Sequence, residues 1–129
     1  MGIVRSVARP LLGGIFILSG LDVLANPEPR AREAKPVVDA VADAVPIAPR
    51  DPMTAVTLNA AVHLSAGALL AAGIVPRLAA LTLAASLVPT TFGGHRFWEI
   101  SDPAQRAQQQ VHFLKNAAIL GGLLIAAFD

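Results

Sequence analysis

A chain of 129 residues that is 54% hydrophobic and only 15% charged, with a net charge of +1, has too few charged side chains to coat a water-facing globule. A mean hydropathy of +0.59 also excludes intrinsic disorder. The near-zero charge leaves no footprint for nucleic acid, and the absence of cysteine removes disulfides, thiolate zinc sites, iron–sulfur clusters and CxxC redox chemistry.

Apolar segments recur along the chain at about 7–25, 54–73, 76–94 and 111–128. At 1.5 Å per residue, a helix of about 20 residues crosses roughly 30 Å of hydrocarbon. These segments predict an all-α fold, a four-helix transmembrane bundle forming a single domain over 1–129. The first span follows Arg5 and Arg9 and reaches Ala25 if Asp22 sits near a membrane face. Asp22 and the glycines Gly13, Gly14 and Gly20 suit a retained bundle helix better than a cleaved leader.

The connection 26–52 carries Pro27, Pro29, Pro36, Pro46 and Pro49 among many charges, so it is expected as an exposed polar loop. Within it Val37, Val38, Val41 and Val45 share one side of a helix, predicting a short amphipathic helix that rests on the membrane surface or caps the bundle. The brief link Gly73–Arg77 makes the second and third spans antiparallel neighbours, and a longer polar connection runs from His95 to Gln110. Small residues such as Gly67, Gly121 and Gly122 let helix backbones approach closely in lipid.

An up-down-up-down order gathers Asp22, Asn59, His63, His95, Arg96, Trp98, Glu99, His112, Lys115 and Asn116 at one end of the molecule. The opposite half, with Leu70, Ala80, Leu81, Leu123 and Ile125, is nearly featureless. Polar groups are costly in a bilayer, so Asp22, Asn59, His63, His95, Arg96, Trp98, His112, Lys115 and Asn116 form a candidate ligand site. Asn59 and His63 lie one helical turn apart, as do His112 and Asn116, so two polar stripes can face one another. A histidine as deep as His63 needs a partner, for which Asp22, Asn116 or Lys115 stand nearest in this arrangement. Plainer roles compete. Lys115 can snorkel to the headgroups instead of pairing with Asp22 or Glu99, and the two asparagines can simply join helices. Trp98 can belong to an interfacial aromatic belt, and His95 and Arg96 to an interface anchor.

The three histidines lack HxH, HxxxH and HExxH spacing, so no metal site is expected and a bis-histidine haem has little support. There is no P-loop, no GxGxxG and no GxSxG, and nothing nominates a nucleophile. A stand-alone enzyme is not expected.

The run from Arg9 through Pro10-Leu11-Leu12-Gly13-Gly14 to Asp22, the stretch His95-Arg96-Phe97-Trp98, and the segment Gln110–Gly122 containing Phe113-Leu114-Lys115-Asn116 resemble the DoxX family over essentially the whole chain. That resemblance implies a small bacterial inner-membrane protein of four helices, related to the membrane subunit of thiosulfate–quinone oxidoreductases. It implies a quinone headgroup or a redox partner at the polar end, near His63, His112, Lys115 and Asn116. The expectation is therefore an accessory or redox-associated subunit in contact with the lipid bilayer. A scaffold that assembles through its small-residue faces, with itself or with another membrane protein, is the competing reading. A count of lysine and arginine favours a cytoplasmic long loop, whereas the leading arginines and the family resemblance place the amino terminus inside.

Overall fold

The computed structural model describes residues 2–94 and 96–129. Among them are five α-helices and no strand: α1 (Gly2–Ala25), α2 (Glu28–Ala44), α3 (Pro52–Ala72), α4 (Pro76–Gly94) and α5 (Pro103–Phe128), with a short 3-10 turn at Phe97–Glu99 before α5. Proline opens α3, α4 and α5, where its missing N–H costs no helical hydrogen bond. Asp51 and Asp102 cap α3 and α5, accepting from the Thr54 and Gln105 amides at 3.1 Å each. Gly73 ends α3 in the left-handed region at φ 73°, and the Ile74 amide returns to the Leu69 carbonyl at 2.9 Å, a Schellman closure. Glycine fits there because it has no Cβ to oppose that conformation.

The expected polar loop is largely a helix. α2 runs for 17 residues and packs on α3 and α4, with Ala31, Val38 and Ala42 buried. The valine spacing identified the helix but underestimated its extent. Ala31, Val38 and Ala42 are covered by the bundle while Val41 and Val45 stay exposed, and that partial cover gives a prolyl and charged segment a reason to stay helical. The last helix likewise begins before the expected span, at Pro103, because Asp102 caps it there.

Three helices, α1, α3 and α5, are long and apolar enough to cross a membrane. α4 falls short because Arg77, Ser86, Pro89, Thr90 and Thr91 dilute its leucines. Leu11, Leu18, Leu78, Val111 and Leu114 lie on the outside of the bundle, an arrangement that suits contact with hydrocarbon rather than water. The core comprises Phe16, Ala66, Leu70, Leu83, Leu87, Leu123 and alanines between them.

α1 packs most extensively against α3. A Cβ on Gly13 would land on the Gly67 carbonyl oxygen, and one on Gly20 would lie 2.7 Å from the Ala60 carbonyl oxygen. The two backbones therefore touch at points two helical turns apart. At one end of the bundle the Arg77 guanidinium donates to the Asp129 carbonyl at 3.3 Å, and the Arg9 guanidinium lies near Gly73. This end is the apolar half; the polar residues collect at the other.

Gly13→Ala should destabilise the protein by about 1–3 kcal/mol through overpacking, whereas Gly14→Ala, which meets open space, should leave stability unchanged or slightly raised. Thermal unfolding of the two variants in mild detergent checks the contrast. The Asp51 carboxyl is held below the usual aspartate range, first by the Thr54 hydroxyl and then by the Thr54 amide. Because the folded-state value is depressed, the cap stabilises α3 above the unfolded value and loses that contribution as the pH falls through the folded one. Protection of the Thr54 amide, its exchange rate relative to that of an unstructured chain at the same pH, should fall over that acidic window in the wild type, and Asp51→Asn should remove that fall.

Candidate functional site

The site grows from one face of α3, where Asn59 and His63 stand one turn apart and point at α4. His63 is 4% exposed, and its Nε2 lies 2.8 Å from Ser86 Oγ. Ser86 Oγ also donates to Asn59 Oδ1, while Asn59 Nδ2 donates to Thr90 Oγ1 at 2.7 Å. Thr90 Oγ1 then donates to the Ser86 carbonyl at 2.8 Å, one turn back along α4. The four residues thus form a closed polar patch between two helices. On its far side the Phe16 ring meets the imidazole edge-on, with centroids 5.1 Å apart.

Asn116 joins α5 to the same end of α4. It is 7% exposed and donates through Nδ2 to Thr91 Oγ1 at 3.0 Å, and Thr91 donates to the Leu87 carbonyl at 2.8 Å. Among the described residues no buried side-chain nitrogen or oxygen lacks a partner. Burial of this many polar atoms is tolerable only because the set is satisfied.

Two cavities adjoin the patch. One, of about 200 Å³, is mainly apolar, with Val37, Val38, Val41 and Val56 beside Asn59 and His63. The other, of about 320 Å³, is more polar and reaches Gln109, His112, Lys115 and Asn116 on α5. Ser19, Arg30, Glu33, His63 and Thr90 border both, so His63 stands in the wall between them.

The structure therefore brings together Asn59, His63, His112, Lys115 and Asn116. It does not bring in Asp22, which is exposed on α1, and the partner of His63 is Ser86 instead. Lys115 is exposed and makes no ion pair among the described residues, and Glu99 meets Arg96 at 3.4 Å. Trp98 packs edge-on with Phe92, Phe97 and Phe113 at centroid distances of 5.7–6.0 Å and 5.3 Å to Phe97, a cluster that fastens the α4–α5 connection. Arg96 and Trp98 border neither cavity. His95 lies outside the described residues.

Ser86, Thr90, Arg30 and Glu33 were missed in the sequence. Ser86 and Thr90 are one turn apart on α4, as Asn59 and His63 are on α3, and that matched spacing was the available signal. Arg30 and Glu33 became visible only once α2 folded back over α3 and α4.

These features define a small helical membrane protein with a satisfied polar patch and two adjoining cavities at one end. The chain belongs to the DoxX family, whose model matches residues 4–96. The match runs through α1 to α4, and the Phe113–Asn116 segment on which the resemblance partly rested lies beyond it. No curated protein and no solved structure matches the chain.

Ser86→Ala would leave the His63 Nε2 and Asn59 Oδ1 without their shared partner, a cost of about 1–3 kcal/mol. Combined with His63→Ala in a double-mutant cycle, the two changes should be non-additive by about 0.5–3 kcal/mol. Chemical denaturation of the detergent-solubilised variants measures the coupling; additive losses would show that the two residues act separately.

Proposed function

We propose that this protein is a four-span bacterial inner-membrane protein, acting as an accessory or redox-associated subunit, whose polar end binds a small amphipathic ligand with a quinone-like headgroup. The observation that carries this reading is the position of His63 in the wall between an apolar and a polar cavity. An amphipathic molecule needs both environments side by side, and α2 supplies much of each. Its Val37, Val38 and Val41 suit a hydrocarbon tail, while Arg30 and the second N–H of Asn59 suit the oxygen of a headgroup. His112, Lys115 and Asn116 would border the headgroup from α5. A haem is less well served, since His63 Nε2 already bonds Ser86.

As the fourth span, α4 would keep Ser86, Thr90 and Thr91 out of lipid, because each bonds within the bundle. The amino terminus is proposed to lie inside, with the α2 end available to a redox partner on the other side. A second reading, a scaffold built from copies of the chain or with another membrane protein, draws on Gly14 and Gly121, whose missing side chains face open space.

Native mass spectrometry of protein extracted in mild detergent and supplied with decylubiquinone should show one ligand retained by the wild type and lost in His63→Ala. Retention in both variants would place the ligand elsewhere. A bare chain, or one seen only as multimers, would transfer the weight to the scaffold.

A further inference from the structure

The more polar of the two cavities carries two cations that no acidic side chain answers. Arg30 on α2, half-buried, and Lys115 on α5, exposed, border this space of about 320 Å³ from different helices. Neither side chain makes an ion pair or a hydrogen bond among the described residues, whereas Lys35, Arg50 and Arg96 each meet a carboxylate. Glu33 is the one carboxylate among the described residues on the cavity wall. It follows Arg30 by three residues, a spacing that allows an ion pair, yet it stands exposed and pairs with neither cation. His63 and His112 complete the titratable groups around the space, and neither adds negative charge.

A cation partly withdrawn from water is costly without a counter-charge, and more so at the end of a membrane bundle. Arginine and lysine are long and flexible, so two heads based on opposite helices can converge on one ligand oxygen in a space this small. A neutral quinone oxygen accepts hydrogen bonds from both. An oxygen with a full negative charge gains Coulomb attraction as well, and in a partly desolvated site that attraction exceeds its value in water.

We propose that the quinone-like headgroup favoured by this cavity is one ionised on a ring oxygen, an acidic hydroxyquinone-type anion, and that Arg30 and Lys115 set the preference by supplying its counter-charge. The proposal rests on the ligand-binding reading above and deepens it. The paired cavities select an amphipathic quinone, and the two cations select its ionised form over its neutral one.

The test is a pair of probes that differ in whether they ionise, 2-hydroxy-3-decyl-1,4-naphthoquinone and its 2-methoxy ether. Binding to the purified protein in phosphatidylcholine nanodiscs is read by calorimetry against empty nanodiscs. Above the pKa of the ring hydroxyl the wild type should bind the hydroxyquinone about tenfold more tightly than the ether, and the preference should vanish below that pKa. The ether, carried through the same pH series, reports any change that comes from Glu33, His63 or His112 instead. Arg30→Gln should reduce the preference, Arg30→Lys should keep it, and Arg30→Gln combined with Lys115→Gln should abolish it. Glu33→Gln should keep or raise it. Equal binding of the two probes at every pH, or a preference undiminished in both Arg30→Gln and the double variant, would overturn the proposal; retained binding of decylubiquinone would then leave the ligand reading in place. If the double variant fails to fold, the wild-type pH series and the contrast between Arg30→Gln and Arg30→Lys decide the matter. Binding of none of the three quinones would overturn both readings. Displacement of the hydroxyquinone by oleate would assign the anion to a fatty-acid carboxylate, upholding the two cations and overturning the quinone-like headgroup; failure to displace it would uphold the quinone.

Discussion

The close approach of α1 and α3 underlies the rest of the molecule. Gly13 meets Gly67 and Gly20 meets Ala60, backbone against backbone, with two turns between the contacts. In lipid there is no hydrophobic drive to bring helices together, so dispersion between touching backbones and side chains must supply the attraction. The consequence reaches the site directly. With α1 held at this distance, Phe16 between the two contacts lies against His63 and closes one side of the imidazole. The ring is left with α4 as its polar neighbour, and Ser86 is the group it finds there.

α4 shows the cost of that arrangement. Among α1, α3, α4 and α5 it alone falls short of a membrane span by length and composition, since it carries Ser86, Thr90 and Thr91 near Pro89. Leu78, Leu81, Val88 and Phe92 of the same helix lie on the outside, while each of those hydroxyls bonds either to its own helix or to a neighbouring helix. The same residues tie α4 to α3 through Asn59 and to α5 through Asn116.

Much of this was legible in the sequence. The apolar runs gave all four long helices, and the one-turn spacing of Asn59 and His63 placed both on the face that matters. Of the residues assigned to the featureless half, Leu70, Ala80 and Leu123 are buried, whereas Leu81 and Ile125 lie on the outside. What could not be read was anything that depends on the rotation of one helix about its axis relative to another. Asp22 sits at the right height but on the outer side of α1, and no periodicity in a nearly uniform apolar helix distinguishes those sides. Ser86 was visible only as a sparse polar residue, because its value lies in the atoms opposite it. α2 was harder still. Its charges and prolines are the composition of a loop, and only the cover provided by α3 and α4 makes it a helix that contributes Arg30 and Glu33 to the site.

The turn between α3 and α4 carries a consequence for how such a chain is made. Gly73, Ile74 and Val75 are all that separates the two helices, and Val75 itself is held at φ 39°. A link this short keeps the helices from parting during synthesis. On the four-span reading, α4 would enter the bilayer as the second limb of a hairpin rather than alone, with Asn59 and His63 already alongside to receive its hydroxyls. The translocation machinery would then be handed a two-helix unit whose polar atoms are matched on arrival, and the order of the helices along the chain becomes part of what makes a serine and two threonines acceptable in a membrane.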